Sequence, residues 1–165
     1  MANPGDTLAV YKMHKKALSA YDLAETFLGI SEVEGAESNP QILAWLQHFA
    51  PWVEDDLTAH CAAFVGWTLS RFGLDVPEKP LRARSYLTIG RVIPITQARR
   101  GFDLVIFRRK IGDPGPSVLD AKGHVGFYSD HEGNFVDVLG ANQDNTVKTK
   151  SYLADNLLGV RRVYG

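Results

Sequence analysis

The chain has 165 residues, a formal net charge of −1 and 45% hydrophobic residues, values typical of one ordinary globular domain and not of a disordered or fibrous protein. The near balance of 18 basic and 19 acidic residues argues against a dedicated nucleic-acid binder. No apolar run reaches the ~18 residues that span a bilayer, and no secretory signal peptide is recognisable. We assign residues 1–16 to an N-terminal arm and residues 17–165 to one domain.

The first two predicted helices have clear end signals. Apolar residues at helical spacing predict the first helix from about Leu18 to Gly29, because glycine is a common residue at helix ends. Asn39 as N-cap and Pro40 at the first helical position predict the start of the second, which ends before Pro51.

A third helix is predicted to begin at Thr58, as its N-cap, and to end at residue 73. Four residues along it form an apolar stripe that we expect to face the core: Cys61, Val65, Leu69 and Phe72.

The second half of the chain has the pattern of β-strands. Short runs rich in β-branched and aromatic residues predict strands at residues 102–109, 124–130, 134–140 and 159–164. The tight connection at residues 130–133 predicts that the second and third strands pair antiparallel, and the fourth is predicted to close the sheet. Helices followed by an antiparallel sheet make an α+β domain.

Cys61 is the one cysteine in the chain, so it can form neither an intramolecular disulfide nor a cysteine-based zinc site. Taken alone, a lone cysteine is commonly a small buried hydrophobe. In the first turn of a helix, however, the positive end of the dipole favours a thiolate and lowers the pKa of the thiol below ~8.5. Cys61 is therefore a candidate nucleophile, and its backbone N–H could stabilise an oxyanion.

His124 is the candidate base among the five histidines. It begins a strand, so a helix packed on the sheet through Cys61 would bring thiol and imidazole together. The alternative is a structural histidine at a strand edge. His60 adjoins Cys61, but consecutive helical residues point about 100° apart, so we expect His60 to line the cleft instead.

The third member of the site is predicted on the strand paired with His124. Alternation along that strand places Asn142 on the same face as the imidazole, which makes it our candidate orienting residue. Gln143 and Asp144 are its alternatives, because a bulge at Gly140 would shift the register by one. The segment could also form a simple turn.

Several segments together resemble the papain-like cell-wall hydrolases of the NlpC/CHAP type, and more narrowly a phage-associated branch of them. The likeness covers about residues 20–164. It is carried by HCAAFVGW at residues 60–67, ARSYL at 83–87, GFDLVIF at 101–107, GHVGFY at 123–128, LGANQDN at 139–145 and GVRRVYG at the end.

The resemblance implies hydrolysis of an amide bond in the peptide part of bacterial peptidoglycan, with Cys61 as nucleophile, His124 as base and Asn142 as orienting residue. The bond would be one within the stem peptide or the sugar-to-alanine amide. We expect no cofactor, because a thioester mechanism requires none. We also expect no metal, because the helix dipole explains the acidic run at residues 54–56.

The resemblance further suggests a phage or prophage endolysin that stays in the cytoplasm of its bacterial host until it reaches the wall, and that acts as a monomer. Candidate substrate-binding residues are His60, which departs from the family pattern, together with Trp52 and Gln143. The alternatives are an exported antibacterial effector with an immunity protein as partner, a catalytically idle peptidoglycan-binding module, and an acyltransferase.

Overall fold

The computed structural model describes residues 18–35 and 37–164, and the predicted arm at residues 1–16 lies outside the described residues. The described part contains three α-helices, α1 (Ala20–Glu25), α2 (Pro40–Gln47) and α3 (Cys61–Ser70), which precede a six-stranded antiparallel sheet. This order confirms the predicted α+β architecture.

The strands of the sheet are β1 (Arg91–Ile93), β2 (Asp103–Arg108), β3 (Gly123–Glu132), β4 (Phe135–Gln143), β5 (Thr146–Leu153) and β6 (Leu157–Arg162). Their order across the sheet is β1-β6-β2-β3-β4-β5. The prediction that the final strand closes the sheet is wrong, because β6 lies between β1 and β2.

The sequence pattern did not reveal β1 and β5, the two edge strands. β1 has only three residues, and β5 alternates half-buried and exposed positions with lysines among them. Short strands and lysines are typical of sheet edges, where they prevent pairing with other chains. The predicted hairpin between β3 and β4 is confirmed, with a two-residue turn between the paired residues Glu132 and Phe135.

Helix α1 begins close to its predicted start but ends at Glu25, before Gly29, whereas α2 begins where its cap predicts. The Ser19 hydroxyl accepts a hydrogen bond from the Asp22 backbone N–H, and the Asp22 carboxylate accepts one from the Ser19 N–H, which completes a capping box. At α2, the Asn39 side chain accepts a hydrogen bond of 2.9 Å from the backbone N–H of Gln41, and Pro40 is the first helical residue.

Helix α3 differs from its prediction at its start and in its burial. It begins at Cys61 with His60 as N-cap, so the assignment of Thr58 as N-cap is wrong. The helix is not amphipathic, because eight of its ten residues are buried. The sheet covers one side, while α1, α2 and the short 3₁₀ helix at Ala83–Thr88 cover the others.

The sheet buries apolar side chains on both faces. On the helix side, Val125 and Phe127 of β3 join the larger core beneath α3. On the opposite side, Phe107 and Tyr128 belong to a smaller core with β4 and β6. Because side chains alternate along a strand, His124 shares the face of Tyr128 and lies at the end of β3 nearest to the start of α3. No helix among residues 18–35 and 37–164 could cross a lipid bilayer.

Close packing at the middle of α3 requires a glycine. A Cβ at Gly66 would lie 2.4 Å from the Tyr86 hydroxyl and 3.0 Å from the Phe49 ring. The Tyr86 hydroxyl donates a hydrogen bond of 2.7 Å to the Ala62 carbonyl. Tyr86 thereby anchors the first turn of α3 at the residue after Cys61.

We expect Gly66→Ala to lower the free energy of unfolding by about 2 kcal/mol, because the overlap with Tyr86 outweighs the better helix propensity of alanine. Urea denaturation measures the change. Gly115→Ala is the matched control, since a Cβ at that position would have no neighbour within 4 Å. Equal stability of the Gly66 variant and wild type would show that α3 is less tightly packed than described.

Candidate active site

Cys61 is the first residue of α3 and lies at the floor of a cleft. The residue is only 3% exposed, yet it lines a cleft of about 550 Å³ together with Ala59, Arg82, Arg109 and Lys122. The unpaired backbone N–H groups of the first helical turn lie at this end of α3. The position in the first turn agrees with the prediction from the sequence.

The protonation state of Cys61 differs from the expectation. Burial raises the pKa of the Cys61 thiol above its ordinary value, and this outweighs the backbone hydrogen bond at Val125 and the positive charge of Arg109, both of which lower it. The pKa of the Cys61 thiol is therefore raised, and not lowered as the sequence predicted. The resting group is a thiol and not a thiolate.

His124, the second residue of β3, is a buried imidazole held on two sides. Its Nε2 atom lies 3.0 Å from the Gln143 Oε1 atom, and its ring stacks on Tyr152 with centroids 5.1 Å apart. Burial lowers the pKa of His124 to about 4, with the charges of Arg109 and Lys150 acting in the same direction. The imidazole is therefore neutral at neutral pH.

Gln143 fixes which imidazole nitrogen carries the proton. Its Nε2 atom donates to the backbone carbonyls of Val138, at 3.1 Å, and of Lys148. With both amide hydrogens committed to carbonyls, the Oε1 atom must accept, so the His124 Nε2 atom is the donor. The lone pair is then on Nδ1, which is buried and has no hydrogen-bond partner among the described residues.

The structure places Gln143, the alternative to Asn142, against the His124 imidazole. The pairing of β4 with β5 shifts register between Gly140 and Gln143, and Asn142 lies in the bulge with φ of 56°. The extra residue carries Gln143 to the face of His124. Gly140 makes room for this, since a Cβ there would lie 3.0 Å from the Gln143 Oε1 atom.

The structure brings the thiol and the imidazole to the same strand end. The backbone of Val125, the residue after His124, forms the hydrogen bond that lowers the pKa of the Cys61 thiol. Arg109 acts electrostatically on both Cys61 and His124. No hydrogen bond joins the thiol to the imidazole Nδ1 atom within the described residues.

His60 and Trp52 do not line this cleft. The His60 side chain is fully buried, with its Nδ1 atom 3.4 Å from the Thr58 carbonyl and 3.7 Å from the Glu32 carboxylate. Trp52 is 78% exposed and lies in the turn after α2. Gln143, also predicted to bind substrate, is buried behind His124. The structure therefore places none of these three side chains in the cleft.

The acidic run before α3 has a role other than the one predicted. The Asp56 carboxylate is buried and accepts hydrogen bonds from the backbone N–H groups of Asn39, at 2.7 Å, and Val33, at 3.2 Å. It therefore holds the loop before α2, whereas Glu54 and Asp55 are exposed. Among the described residues, no group of three or more histidine, cysteine or acidic side chains could hold a metal ion.

Two residues of the site were not identified from the sequence. Tyr152 stacks on His124 from β5, a strand whose mixture of lysine and threonine gave no clear signal. Arg109 follows β2 in a run of three basic residues, a pattern that usually indicates an exposed strand end. Their proximity to the site depends on long-range packing.

The low pKa of His124 predicts a pH-dependent stability. As pH falls from about 6.5 to 4, the unfolded chain binds a proton at this residue before the folded chain does, so the free energy of unfolding falls. Above this range the contribution is constant. We expect His124→Gln to reduce the loss of stability between pH 7 and pH 4 by up to about 3 kcal/mol.

Urea denaturation of wild type and variant at both pH values measures this difference, and the comparison cancels the other groups that titrate. His48→Gln, which changes an exposed histidine, is the control for the loss of a histidine. An unchanged pH dependence in His124→Gln would contradict the burial of a neutral imidazole.

No family model and no curated protein matches this chain, but solved structures do. The P60 domain of a Mycobacterium avium subspecies paratuberculosis antigen matches with a TM-score of 0.55 and 18% identity, over 89% of this chain and 93% of that domain. NlpC1 from Trichomonas vaginalis matches with a TM-score of 0.53 and 15% identity, over 92% of this chain and 47% of its own. A Staphylococcus aureus protein of the NLP/P60 family matches with a TM-score of 0.51 and 21% identity, over 89% and 41%.

The chain thus spans less than half of the Trichomonas and Staphylococcus proteins but most of the isolated P60 domain. At this level of identity the similarity establishes the fold alone. It confirms the papain-like fold expected from the sequence motifs, while the phage-associated branch stays a prediction. The chain has the NlpC/P60 type of papain-like fold.

Proposed function

We propose that this protein is a cysteine hydrolase that cleaves an amide bond in the peptide part of bacterial peptidoglycan. The observation that carries the proposal is the buried His124 imidazole, whose Nε2 proton is bound by Gln143 and whose free Nδ1 atom lies at the strand end that contacts Cys61. A nucleophile, a base and an orienting amide are the groups that a thioester mechanism needs. The NlpC/P60 fold and the sequence motifs favour peptidoglycan as the substrate.

In the proposed reaction, the Cys61 sulfur attacks the scissile carbonyl carbon while its proton passes to the His124 Nδ1 atom. The carbonyl oxygen becomes negatively charged, and the backbone N–H of Cys61 stabilises it. His124 then gives the proton to the leaving amine, and a thioester remains on Cys61. A water molecule attacks the thioester, His124 accepts a proton from that water, and the proton returns to the sulfur as the acid product leaves.

In the resting state the thiol and the imidazole are both uncharged, which is consistent with a proton transfer that occurs only after substrate binds. Burial raises the pKa of the Cys61 thiol and lowers that of His124, so both groups are uncharged in the free enzyme. Negative charge on sulfur or oxygen then develops near the N-terminus of α3 and the positive charge of Arg109. Catalytic hydrogen bonds in unliganded sites are often long and shorten only with bound substrate.

The biological setting that we propose is a phage or prophage endolysin, which would wait in the host cytoplasm and act on the wall after release. The sequence motifs that resemble the phage-associated branch support this setting. The position of the cleaved bond, within the stem peptide or between sugar and alanine, follows from the masses of the released fragments.

We expect Cys61→Ala and His124→Ala to slow the release of soluble fragments from purified peptidoglycan by at least about 1,000-fold, because removal of a nucleophile or its base abolishes the covalent route. Mass spectrometry of the fragments measures the rate and identifies the bond. His48→Ala controls for the loss of a histidine. Release by Cys61→Ala at the wild-type rate would refute the proposal, and intact peptidoglycan with wild-type protein would favour a binding module.

Substitutions of the two adjacent amide residues at the end of β4 test which of them orients the His124 imidazole. We expect Gln143→Ala to lower kcat by about 100-fold, because the imidazole loses the partner that fixes its tautomer and position. We expect Asn142→Gly, which tolerates the positive φ at that residue, to keep nearly the wild-type rate. Both are measured on peptidoglycan fragments after circular dichroism confirms folding. The reverse pattern would restore Asn142 as the orienting residue.

A further inference from the structure

We infer that a basic wall beside Cys61 binds a carboxylate of the peptide substrate. The basic wall consists of five side chains: Arg82, Arg84, Arg109, Lys110 and Lys122. The inference rests on the proposed function for the identity of the peptide, and the structure supplies the charge, the buried donor and the position next to the reacting sulfur.

The basic wall lines two adjoining clefts. The first is the cleft of about 550 Å³ that contains Cys61, and Arg82, Arg109 and Lys122 line it. The second has a volume of about 330 Å³ and is lined by Arg84 and Lys110 in addition to Arg109 and Lys122. The two clefts therefore share Arg109 and Lys122, so a group bound in the second cleft would lie next to the reaction site.

Arg84 is the buried member of the basic wall, with no exposed surface. Its Nε atom donates to the Lys122 carbonyl at 2.9 Å. Its Nη1 atom donates to three carbonyls in the loop between β2 and β3, those of Pro114, Gly115 and Val118.

The remaining nitrogen of Arg84, Nη2, is buried and has no hydrogen-bond partner among the described residues. The carbonyls that surround the guanidinium carry no formal charge, so its positive charge is not neutralised. A buried cation without a counter-ion is costly. An anion in the second cleft would supply both the missing acceptor and the missing charge.

The clefts hold an excess of positive charge. The five cations of the basic wall face two acidic residues in the cleft linings, Asp113 and Asp120. Asp113 also accepts a hydrogen bond from the backbone N–H of Lys110. Within residues 18–35 and 37–164, no member of the basic wall forms a salt bridge with a carboxylate.

A carboxylate is the anion that fits this site and this reaction. Guanidinium groups bind carboxylates with two parallel hydrogen bonds, and such charge-assisted contacts are stronger than neutral ones. In the proposed function, the Cys61 sulfur in the adjoining cleft attacks a peptide amide. The anion that binds beside it would therefore be part of the same peptide. Stem peptides of peptidoglycan carry free carboxylates close to their amide bonds, which supplies such a group without a second ligand.

Binding to the inactive Cys61→Ala protein tests this inference without requiring hydrolysis. The probes are a muramyl tetrapeptide with free carboxyl groups and the same fragment with those groups converted to carboxamides. Isothermal titration calorimetry at 0.15 M salt gives the Kd of each. We expect the acidic fragment to bind at least about tenfold more tightly, because charge-assisted hydrogen bonds are lost on amidation.

Variants in the same Cys61→Ala background locate the preference. We expect Arg109→Gln and Lys122→Gln, both at exposed positions, to reduce the preference for the acidic fragment to about threefold or less. Arg84→Lys keeps the charge but loses the planar donor pair, and it should also weaken binding of the acidic fragment. Arg91→Gln, on the edge strand β1 outside both clefts, is the matched control for loss of one positive charge and should keep the full preference.

Equal affinity for the two fragments would overturn the inference, whatever the wild-type protein does to peptidoglycan. The inference would also be overturned if Arg91→Gln reduced the preference for the acidic fragment as strongly as Arg109→Gln does. The preference would then depend only on net charge. A preference lost only in the variants of the basic wall would support it. If wild type then released no fragments from purified peptidoglycan, the carboxylate site would stand and the proposed hydrolase activity would fall.

Discussion

The burial of helix α3 is the constraint on which the site depends. Eight of its ten residues are buried, and Gly66 packs so closely on Tyr86 that a Cβ there would lie 2.4 Å from the Tyr86 hydroxyl. The same burial places Cys61 at the start of β3 and removes its sulfur from water. Desolvation disfavours a charged group, so the position that aligns the thiol also keeps it protonated.

The Cys61 thiol and the His124 imidazole are therefore uncharged groups with positively charged side chains beside them. The pKa of the Cys61 thiol is raised and that of His124 is lowered to about 4, both mainly by burial. Arg109 and the buried Arg84 lie beside this pair and are not neutralised by carboxylates in the described part of the chain. Such an arrangement costs stability in the free protein and favours the arrival of negative charge, either as a bound anion or as charge that develops during reaction.

Much of the fold could be predicted because its signals are local. Asn39 caps α2 through a side chain that reaches the backbone N–H group two residues away. The strands β2, β3, β4 and β6 follow from runs of β-branched and aromatic residues, and the turn after Glu132 follows from its glycine. The edge strands β1 and β5 have no apolar face long enough to be recognised as a strand pattern, so the sequence did not predict them.

The sequence by itself determined that a cysteine lies in the first turn of a helix, that a histidine begins a strand, and that helices precede an antiparallel sheet. Only the tertiary structure decided that Gln143 and not Asn142 binds His124, because a bulge changes the face of every residue beyond it. It also decided that His60 lies in the core and that the thiol of Cys61 stays protonated. Register and desolvation depend on neighbours far away in the chain, so no local pattern contains them.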